Sequence, residues 1–485
     1  MASNSGFSSE VGRTLIQLSQ ESVSNLTLEQ GSRVAVIGGG PAGSFFSFFL
    51  LKLAETIGID LEVDILEPRQ FSTFSGPAGC NHCGGIVSES LVQMLATEGI
   101  NIPSTVIQRG IESYVLHMDV GDVRIETPLH EKRIAAVYRG KGPKDIQNSK
   151  WSSFDQNTLK MAEDRGAQVR RQLVSDISWE SGRPTLSGPK GEIGSYDLLV
   201  VASGVNSQLQ YVLEQSGCGY IAPERVKTFI CEYHLGEEQV ALNFGNAMHV
   251  FLLDLPHLEF AAVIPKGDYV TLCMLGDEIN EELVSSFLNA PEVQACFPPD
   301  FDLYQSSCLC FPTINVGGTG QPFGDRLLVI GDSGVTRLYK DGIGAAYKTA
   351  KAAATAAVFQ GISKEDFKRS FWPACRKIEI DNSIGKFVFA VNKQLQRTKV
   401  TRRTMLRMTR MEQTEGGPTQ QMSTVLWDIF TGSAPYKEIL LRTMKPWFLA
   451  RLAWNFVMGG LFFDLKNQDT GAMDGHERLG ESLPG

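Results

Sequence analysis

The stretch RVAVIGGGPAG, residues 33–43, decides the fold of this chain. Its first half is the short apolar run of a buried parallel strand, and the glycines after it follow the spacing GxGxxG. Such a turn lets the backbone approach a pyrophosphate at the N-terminus of a helix. The stretch therefore predicts a dinucleotide-binding turn formed by Gly38, Gly40, Pro41, Ala42 and Gly43.

The next residues complete a strand–helix–strand unit. Residues 44–57 are apolar and compatible with a helix, and residues 61–66, LEVDIL, indicate a second strand that ends at Glu67. An acidic residue at this place accepts hydrogen bonds from a ribose. Glu67 stands 24 residues after Gly43, and one additional helical turn would absorb the excess over the usual ~20. We therefore predict that Glu67 binds the ribose of the cofactor.

Two later segments repeat the pattern of a buried strand followed by small residues. Residues 196–206, YDLLVVASGVN, place Ala202 and Gly204 in such a turn. Residues 326–340, RLLVIGDSGVTRLYK, contain a strand that ends at Gly331 and Asp332. Small residues at these places suit a chain that passes closely beside a bound cofactor.

The sequence DGIG at residues 341–344 begins an alanine-rich stretch that predicts a helix to Phe359. We expect Asp332 to accept a hydrogen bond from a sugar-like hydroxyl, and Gly342, Ile343 and Gly344 to present backbone N–H groups at the helix N-terminus. Such a terminus favours negative charge, which reduced flavin carries at its pyrimidine edge. The three segments together favour FAD over NAD.

Two further segments, CGGIVS at residues 83–88 and IPKGDY at residues 264–269, complete a family resemblance. The chain resembles the geranylgeranyl reductase family of FAD-dependent oxidoreductases, which shares the glutathione-reductase-type FAD fold with the aromatic hydroxylases. The similarity runs from about residue 33 to residue 389 and is looser over residues 430–454. It implies FAD, contact of Arg139 with the cofactor, and hydride transfer from reduced flavin to a carbon–carbon double bond of a hydrophobic isoprenoid-type substrate.

The segment CNHC supplies the candidate catalytic residues Cys80, His82 and Cys83. Cys83 and the glycines after it are expected to pack near the flavin, and His82 could donate the proton that follows hydride transfer. Two thiols at this spacing also suit a redox disulfide or half of a metal site. The predicted chemistry needs no metal.

The segment SGVTRLYK, residues 333–340, departs from both related families. Aromatic hydroxylases usually have a histidine and prolines here, and their absence counts against oxygen insertion. The reductases commonly have a proline and a threonine or serine before the glycine pair, and these are also missing. The substrate therefore stays open, with Lys266, Tyr269 and Tyr339 as candidate contacts.

Two alternative functions remain. One is a flavin-dependent monooxygenase or halogenase on the same fold. The other is a membrane-associated electron-relay or redox-sensing flavoprotein that uses Cys80 and Cys83. Because the chain has a single strand-led GxGxxG unit, electrons must come from a reduced nicotinamide or a small electron carrier that binds transiently.

Composition limits the partners and the compartment. The 45 basic and 54 acidic side chains give a net charge of −9, which argues against nucleic acid as a partner and leaves a hydrophobic small molecule or lipid. Residues 1–30 are polar without the apolar core of an export signal, and the nine cysteines have no disulfide-framework spacing. We therefore expect a cytoplasmic protein.

The C-terminal part contains an apolar, aromatic stretch at residues 447–463 that follows a basic segment. This combination predicts either peripheral contact of residues 393–463 with the inner face of the membrane or a helix that packs on the core.

The expected fold class is α/β, with a Rossmann-like FAD-binding domain built around a three-layer sheet. The expected parts are a polar extension (1–30), a discontinuous FAD-binding domain (31–110, 140–212 and 322–390), an inserted antiparallel-sheet substrate domain (213–321 with part of 111–139) and a helical C-terminal region (391–485).

Overall fold

The computed structural model describes residues 26–71, 84–128, 133–143, 149–306, 308–415 and 420–461. The strands in chain order are β1 (Arg33–Ile37), β2 (Glu62–Leu66), β3 (Ile86–Ser88), β4 (Ile107–Ile111), β5 (Ser113–Met118), β6 (Gly121–Glu126), β7 (Ile134–Val137), β8 (Gln168–Arg170), β9 (Asp176–Glu180), β10 (Arg183–Gly188), β11 (Gly191–Ser195), β12 (Leu198–Val201), β13 (Arg225–Lys227), β14 (Phe229–His234), β15 (Ala247–Phe251), β16 (Leu258–Pro265), β17 (Tyr269–Gly276), β18 (Cys308–Cys310), β19 (Thr313–Asn315), β20 (Phe323–Gly324) and β21 (Leu327–Val329).

The α-helices in chain order are α1 (Pro41–Thr56), α2 (Glu89–Thr97), α3 (Phe154–Glu163), α4 (Leu209–Gln215), α5 (Glu237–Asn243), α6 (Glu281–Leu288), α7 (Pro291–Gln294), α8 (Gly342–Phe359), α9 (Lys364–Ser370), α10 (Trp372–Gln396), α11 (Lys399–Glu415), α12 (Gln421–Thr431), α13 (Tyr436–Thr443) and α14 (Pro446–Leu461).

A six-stranded sheet carries the predicted cofactor turns. Its order is β20-β21-β12-β1-β2-β8, and all neighbours are parallel except β20, which runs antiparallel to β21. Its central strands are apolar on both faces because both faces are covered. Val36 packs with Phe45 of α1 on one face, while Ala35 packs with Ile177 of β9 on the other. The predicted three-layer, Rossmann-like arrangement is confirmed.

A seven-stranded sheet of order β18-β14-β17-β16-β15-β5-β6 forms the second large layer. Its pairs are antiparallel except for β5 with β15, and β16 and β17 form a hairpin around the IPKGDY segment. Phe244, Phe251 and Leu253 pack on one side of this sheet with α6, and Phe260 packs on the other side with the C-terminal helices. These four side chains belong to the core.

The C-terminal region is helical, as predicted. Helix α11 packs against β6 and α14, and the buried Trp427 of α12 stacks on Tyr114 of β5 at 4.5 Å between ring centroids. Among the helices formed by the described residues, none is long and apolar enough to cross a membrane.

Candidate functional site

The glycine turn after β1 has the geometry that its sequence predicts. Gly38 donates to the carbonyl of Leu66 at 3.0 Å and has a φ of +105°, which favours glycine. A Cβ atom at Gly43 would lie 1.9 Å from the carbonyl oxygen of Gly38, so only glycine lets α1 pack this closely on the turn. Gly40 differs, because a Cβ atom there would have no protein atom within 4 Å.

The carboxylate of Glu67 lies beside this turn. It is 2% exposed and accepts hydrogen bonds from the backbone N–H of Gly39 and from the backbone N–H and Nε of Arg69, each at 2.9 Å. The acid after β2 is therefore held at the C-terminal edge of the sheet, where a ribose would be bound. Its contact with a ribose stays a prediction.

The structure brings the three predicted cofactor segments to one edge of the six-stranded sheet. Ala202 donates to Ile37 O at 2.8 Å, which joins the second segment to the first. Ser333 Oγ donates to Gly204 O at 3.2 Å, which joins the third to the second. A Cβ atom at Gly331 would lie 2.6 Å from Cβ of Ala42, so this position also needs glycine.

Asp332 follows β21, with its carboxylate near Gly342 and Thr336. Its side chain is solvent-accessible, yet the surrounding protein desolvates the carboxyl and raises its pKa. The hydroxyl of Thr336 and the charge of Arg139 offset this rise only in part. We infer that Asp332 lines a cleft, because its carboxyl is accessible to solvent and is at the same time desolvated by the surrounding protein.

Helix α8 begins at the same edge. Asp341 is the N-cap residue of α8, and its carboxylate accepts a hydrogen bond from Gly344 N–H at 3.2 Å. A Cβ atom at Gly344 would lie 2.2 Å from Asp341 Oδ1, so this capping contact requires glycine. Gly342 faces the cleft, because its Cβ position lies 3.7 Å from Thr336 Oγ1 and 3.9 Å from Asp332 Oδ1. The buried Ile343 packs into the core next to Ala42.

Arg139 forms a fixed positive charge near the cleft. Its Nε and Nη2 atoms donate to the two carboxylate oxygens of Asp155, each at 2.9 Å, and Gly140 N–H donates to the same carboxylate at 2.8 Å. Burial alone would raise the pKa of Asp155, but these partners lower it below the usual value. The pair holds the guanidinium in one orientation, and contact of Arg139 with a cofactor stays a prediction.

The segment that departs from the family pattern is fastened to the C-terminal helices. Arg337 donates to the carbonyls of Gly432 and Ala434, both at 2.9 Å. Lys340 Nζ donates to the carbonyls of Asp428 at 2.8 Å and Ala434 at 3.1 Å. The sequence indicates that this segment is unusual. It does not indicate that the two basic side chains are buried and donate hydrogen bonds to the C-terminal helices.

Four aromatic side chains meet next to this segment and are called the aromatic cluster (Phe260, Tyr339, Phe389 and Phe430). The ring of Tyr339 lies 5.0 Å from that of Phe389 and 6.3 Å from that of Phe260, and Phe260 lies 5.1 Å from Phe430, measured between centroids. Tyr339 has a φ of +57° and is half-buried, so its predicted substrate contact would be made within this cluster.

The IPKGDY turn contacts the segment that follows the CNHC motif. Lys266 is 2% exposed, and its Nζ donates to Gly84 O at 2.6 Å. Tyr269 is also 2% exposed and donates to Gln108 Oε1 at 3.2 Å, and burial raises its pKa well above the usual range. Their assignment as substrate contacts stays a prediction. Cys80, His82 and Cys83 lie outside the described residues.

Comparison with known proteins adds information on the fold. No family model and no curated protein matches the chain. A triple mutant of the flavin-dependent brominase Bmp2 is similar, with a TM-score of 0.55 and 15% identity over 84% of this chain and 97% of that one. The halogenase PltM in complex with phloroglucinol and FAD has a TM-score of 0.53 and 13% identity over 88% and 91%. FqzB has a TM-score of 0.51 and 15% identity over 76% and 86%.

At these identities the likeness shows the fold alone. The chain has the fold seen in flavin-dependent halogenases, in agreement with the predicted FAD-binding fold class. The more specific resemblance to geranylgeranyl reductases finds no support among these structures.

Proposed function

We propose that the protein is an FAD-dependent oxidoreductase. The observation that carries the proposal is the convergence of three chain segments at one sheet edge, around the turn at Gly38–Gly43 and the cleft that contains Asp332. The open space above Gly40 leaves room for a pyrophosphate at the N-terminus of α1. Glu67 would hold the ribose, and Asp332 would accept from a sugar-like hydroxyl.

Bound FAD would supply two-electron redox chemistry. The residues of this chain would orient it and stabilise its charge. The N-terminus of α8, where Gly342 faces the cleft, favours negative charge. Arg139 adds a positive charge whose position is fixed by the buried Asp155. The aromatic cluster would exclude water from the substrate side.

We favour halogenation or hydroxylation of a hydrophobic aromatic substrate as the reaction. The support is fold-level analogy with a brominase and a halogenase, one of which was solved with the aromatic compound phloroglucinol. The aromatic cluster beside Tyr339 suits a planar apolar ring. The missing histidine and prolines after Asp332 are the feature of the chain that opposes this reaction.

Reduction of a carbon–carbon double bond is the second candidate. The contact between Lys266 and Gly84 favours it, because that contact joins the two segments that carry the resemblance to the reductases. The predicted roles of Cys83 and His82 belong to this candidate, and a Cys80–Cys83 redox pair belongs to the electron-relay alternative.

The deciding experiment follows the reoxidation of the reduced flavin. The protein is reconstituted with FAD, reduced anaerobically, and mixed with bromide, oxygen and phloroglucinol, or with an isoprenoid alkene without oxygen. We expect a brominated or hydroxylated product in the first mixture. Reoxidation by the alkene alone would instead establish the reductase. Turnover that is lost in Cys80→Ser would favour the electron relay, and failure to bind FAD would contradict the whole proposal.

The electron donor is tested in the same assay. We propose that a reduced nicotinamide or a small electron carrier binds transiently, so NADPH, NADH and a reduced flavodoxin-type carrier are compared for their rate of flavin reduction. A donor that acts only as a tightly bound partner would contradict this proposal.

Helix α14 supports peripheral contact with an anionic membrane surface. Trp447 is 65% exposed and Trp454 is 63% exposed, and their spacing of seven residues places them on one face of the helix. The exposed Lys445 precedes this face. An apolar groove of about 430 Å³ lies between α11 and α14, lined by residues that include Met405 and Phe456. Exposed tryptophans beside a basic residue are typical of helices that lie in the membrane interface.

A further inference from the structure

We propose that His117, His249 and Cys296 form a binding site for a thiophilic divalent cation such as Zn²⁺, separate from the predicted cofactor cleft. Each of the three residues is 7% exposed. One ligand atom from each, two imidazole nitrogens and the thiol sulfur, lies within 4.8 Å of the other two. Two imidazoles and a thiolate form a ligand set that Zn²⁺ prefers.

The distances agree with a common metal centre. His117 Nε2 lies 3.0 Å from His249 Nδ1, and Cys296 Sγ lies 3.7 Å from His117 Nε2. In a tetrahedral zinc site the corresponding separations are about 3.3 Å between nitrogens and about 3.6 Å between nitrogen and sulfur. For these two pairs the atoms would shift by only a few tenths of an ångström on binding. The third pair, Cys296 Sγ and the His249 nitrogen, lies within 4.8 Å and would have to close toward about 3.6 Å.

The topology of the seven-stranded sheet positions the histidines. β5 and β15 are parallel neighbours, and their register pairs Val115 with His249 and His117 with Phe251. The two histidines are thus diagonal neighbours on one face of the sheet. Cys296 reaches them from the segment after α7, so the site connects the sheet to the helices that cover it.

Neighbouring side chains hold both imidazoles in place. Phe251 stacks on the His117 ring at 4.7 Å between centroids, and Phe244 meets the His249 ring edge-on at 5.0 Å. Asp122 lies on the adjoining strand β6, opposite His117, with Oδ2 4.0 Å from His117 Nδ1. Around zinc, the far nitrogen of a ligating histidine usually donates a hydrogen bond to a carboxylate, and Asp122 would have to approach His117 by about 1 Å to accept it.

The site offers three protein ligands and leaves a fourth position for water or another small ligand. Binding would release to solvent the thiol proton of Cys296, which the sulfur now donates to Glu292 O at 3.3 Å. The proton shared between His117 Nε2 and His249 Nδ1 would move to the opposite nitrogen of its ring, which frees both ligand atoms. The metal would link the segment around Cys296 to β5 and β15 through its three coordinate bonds. We therefore expect metal binding to stabilise this part of the fold.

The test uses Co²⁺ as a spectroscopic probe of the full-length protein after chelator treatment and reduction. We expect one equivalent of Co²⁺ to bind with a thiolate-to-cobalt charge-transfer band and to be displaced by Zn²⁺. Cys296→Ser should abolish the band and weaken Co²⁺ binding by at least about a hundredfold, because loss of a ligand costs at least as much as loss of an outer-shell partner.

The matched controls are other cysteines. Cys231 is 1% exposed on β14 of the same sheet and is not among the three ligands, so Cys231→Ser should retain the band. The double variant Cys80→Ser, Cys83→Ser should retain it too, which separates this site from the CNHC motif. Near-ultraviolet circular dichroism verifies that each variant is folded.

A measurement on the unaltered protein covers the case in which Cys296→Ser does not fold. X-ray absorption at the zinc edge should show two nitrogen ligands and one sulfur ligand. Absence of stoichiometric Co²⁺ binding, a charge-transfer band that survives in Cys296→Ser, or a zinc shell of four sulfur atoms would each overturn the proposal.

Discussion

At the scale of single residues, Gly40 differs from the glycines that the fold requires, because only a bound cofactor would explain its presence. The fold itself requires glycine at position 38, which has a φ of +105°, and at position 43, where a Cβ atom would collide with the backbone. Gly40 has a φ of −69° and open space at its Cβ position, so the protein alone does not require glycine there. A ligand that approaches the backbone would explain the residue.

We therefore predict that Gly40→Ala weakens FAD binding about tenfold or more and leaves the fold intact. Because Gly40 is the N-cap residue of α1, we expect its replacement by alanine to lower the free energy of unfolding by at most about 1 kcal/mol. Flavin fluorescence titration measures the affinity, and thermal unfolding measures the stability. Gly110→Ala is the control, because a Cβ atom there also meets open space. Equal FAD affinity in both variants would contradict the prediction.

Asp155 provides a second prediction at this scale. Asp155→Asn leaves the guanidinium of Arg139, whose side chain is 10% exposed, without its buried carboxylate. We expect a loss of about 3 kcal/mol in the free energy of unfolding, measured with urea. Asp164→Asn, in an exposed pair with Lys160, should leave the urea midpoint unchanged. Similar effects of the two changes would show that the Arg139 pair does not stabilise the fold.

The same residue predicts a pH dependence. The pKa of Asp155 is lower in the folded protein than its ordinary value of 3.8, so its contribution to stability is present above pH 3.8 and is lost as pH falls below that value. The wild type should therefore lose more stability than Asp155→Asn between about pH 5 and pH 3. Parallel losses in the two proteins would contradict this assignment.

At the scale of elements, helix α14 has a surface that the interior of the fold does not use. We predict that Trp447→Gln and Trp454→Gln each weaken binding to vesicles containing anionic phospholipid about tenfold, since each removes about 1.4 kcal/mol of apolar transfer energy. Co-sedimentation with vesicles measures the affinity. Tyr211, which is 66% exposed on α4, provides the control Tyr211→Gln, which should bind vesicles like the wild type.

The elements also show what sequence patterns can reveal. The β1–α1–β2 unit and helix α8 were predicted because apolar runs, glycines and caps are local signals. The parallel pairing of β5 with β15 was not, because it joins residues more than a hundred positions apart and depends on the whole sheet. The His117–His249 contact results from that pairing, so it had no sequence signal.

At the scale of the whole molecule, the predicted cofactor edge depends on distant parts of the chain. β12 lies between β1 and β21, and α8 packs against α1. We predict that a chain ending at Gly320 does not form the six-stranded sheet and does not bind FAD, because it lacks β21 and α8. A chain ending at Thr443 should still bind FAD. Gel filtration and flavin absorbance measure both outcomes, and FAD binding by the shorter chain would contradict the prediction.

The candidate site was predictable where chemistry depends on backbone motifs. Gly38 and Gly43 form a closely packed turn and Asp332 follows its strand at the same edge of the sheet, because glycine turns and strand ends fix these positions. Contact of these residues with a cofactor stays a prediction. The burial of Lys266 and Tyr269 was not predictable, since it depends on the packing of the β16–β17 hairpin against Gln108 and Gly84. The hydrogen bonds of Arg337 and Lys340 were not predictable either, because their acceptors lie 95 and 88 residues further along the chain.

The buried hydrogen bonds of Arg337 and Lys340 would limit how a substrate enters. Arg337 and Lys340 make four buried hydrogen bonds to the carbonyls of residues 428–434. A hydrogen bond with a charged donor such as Arg337 contributes about 1.5 kcal/mol, whereas burial lowers the pKa of Lys340 well below its usual range, so each of its two bonds counts as an ordinary one of about 1 kcal/mol. Swinging the C-terminal helices outward would therefore cost about 5 kcal/mol. Such an open state would hold only about one molecule in several thousand. Turnover faster than this rare opening permits would therefore need a substrate route that leaves these four hydrogen bonds in place.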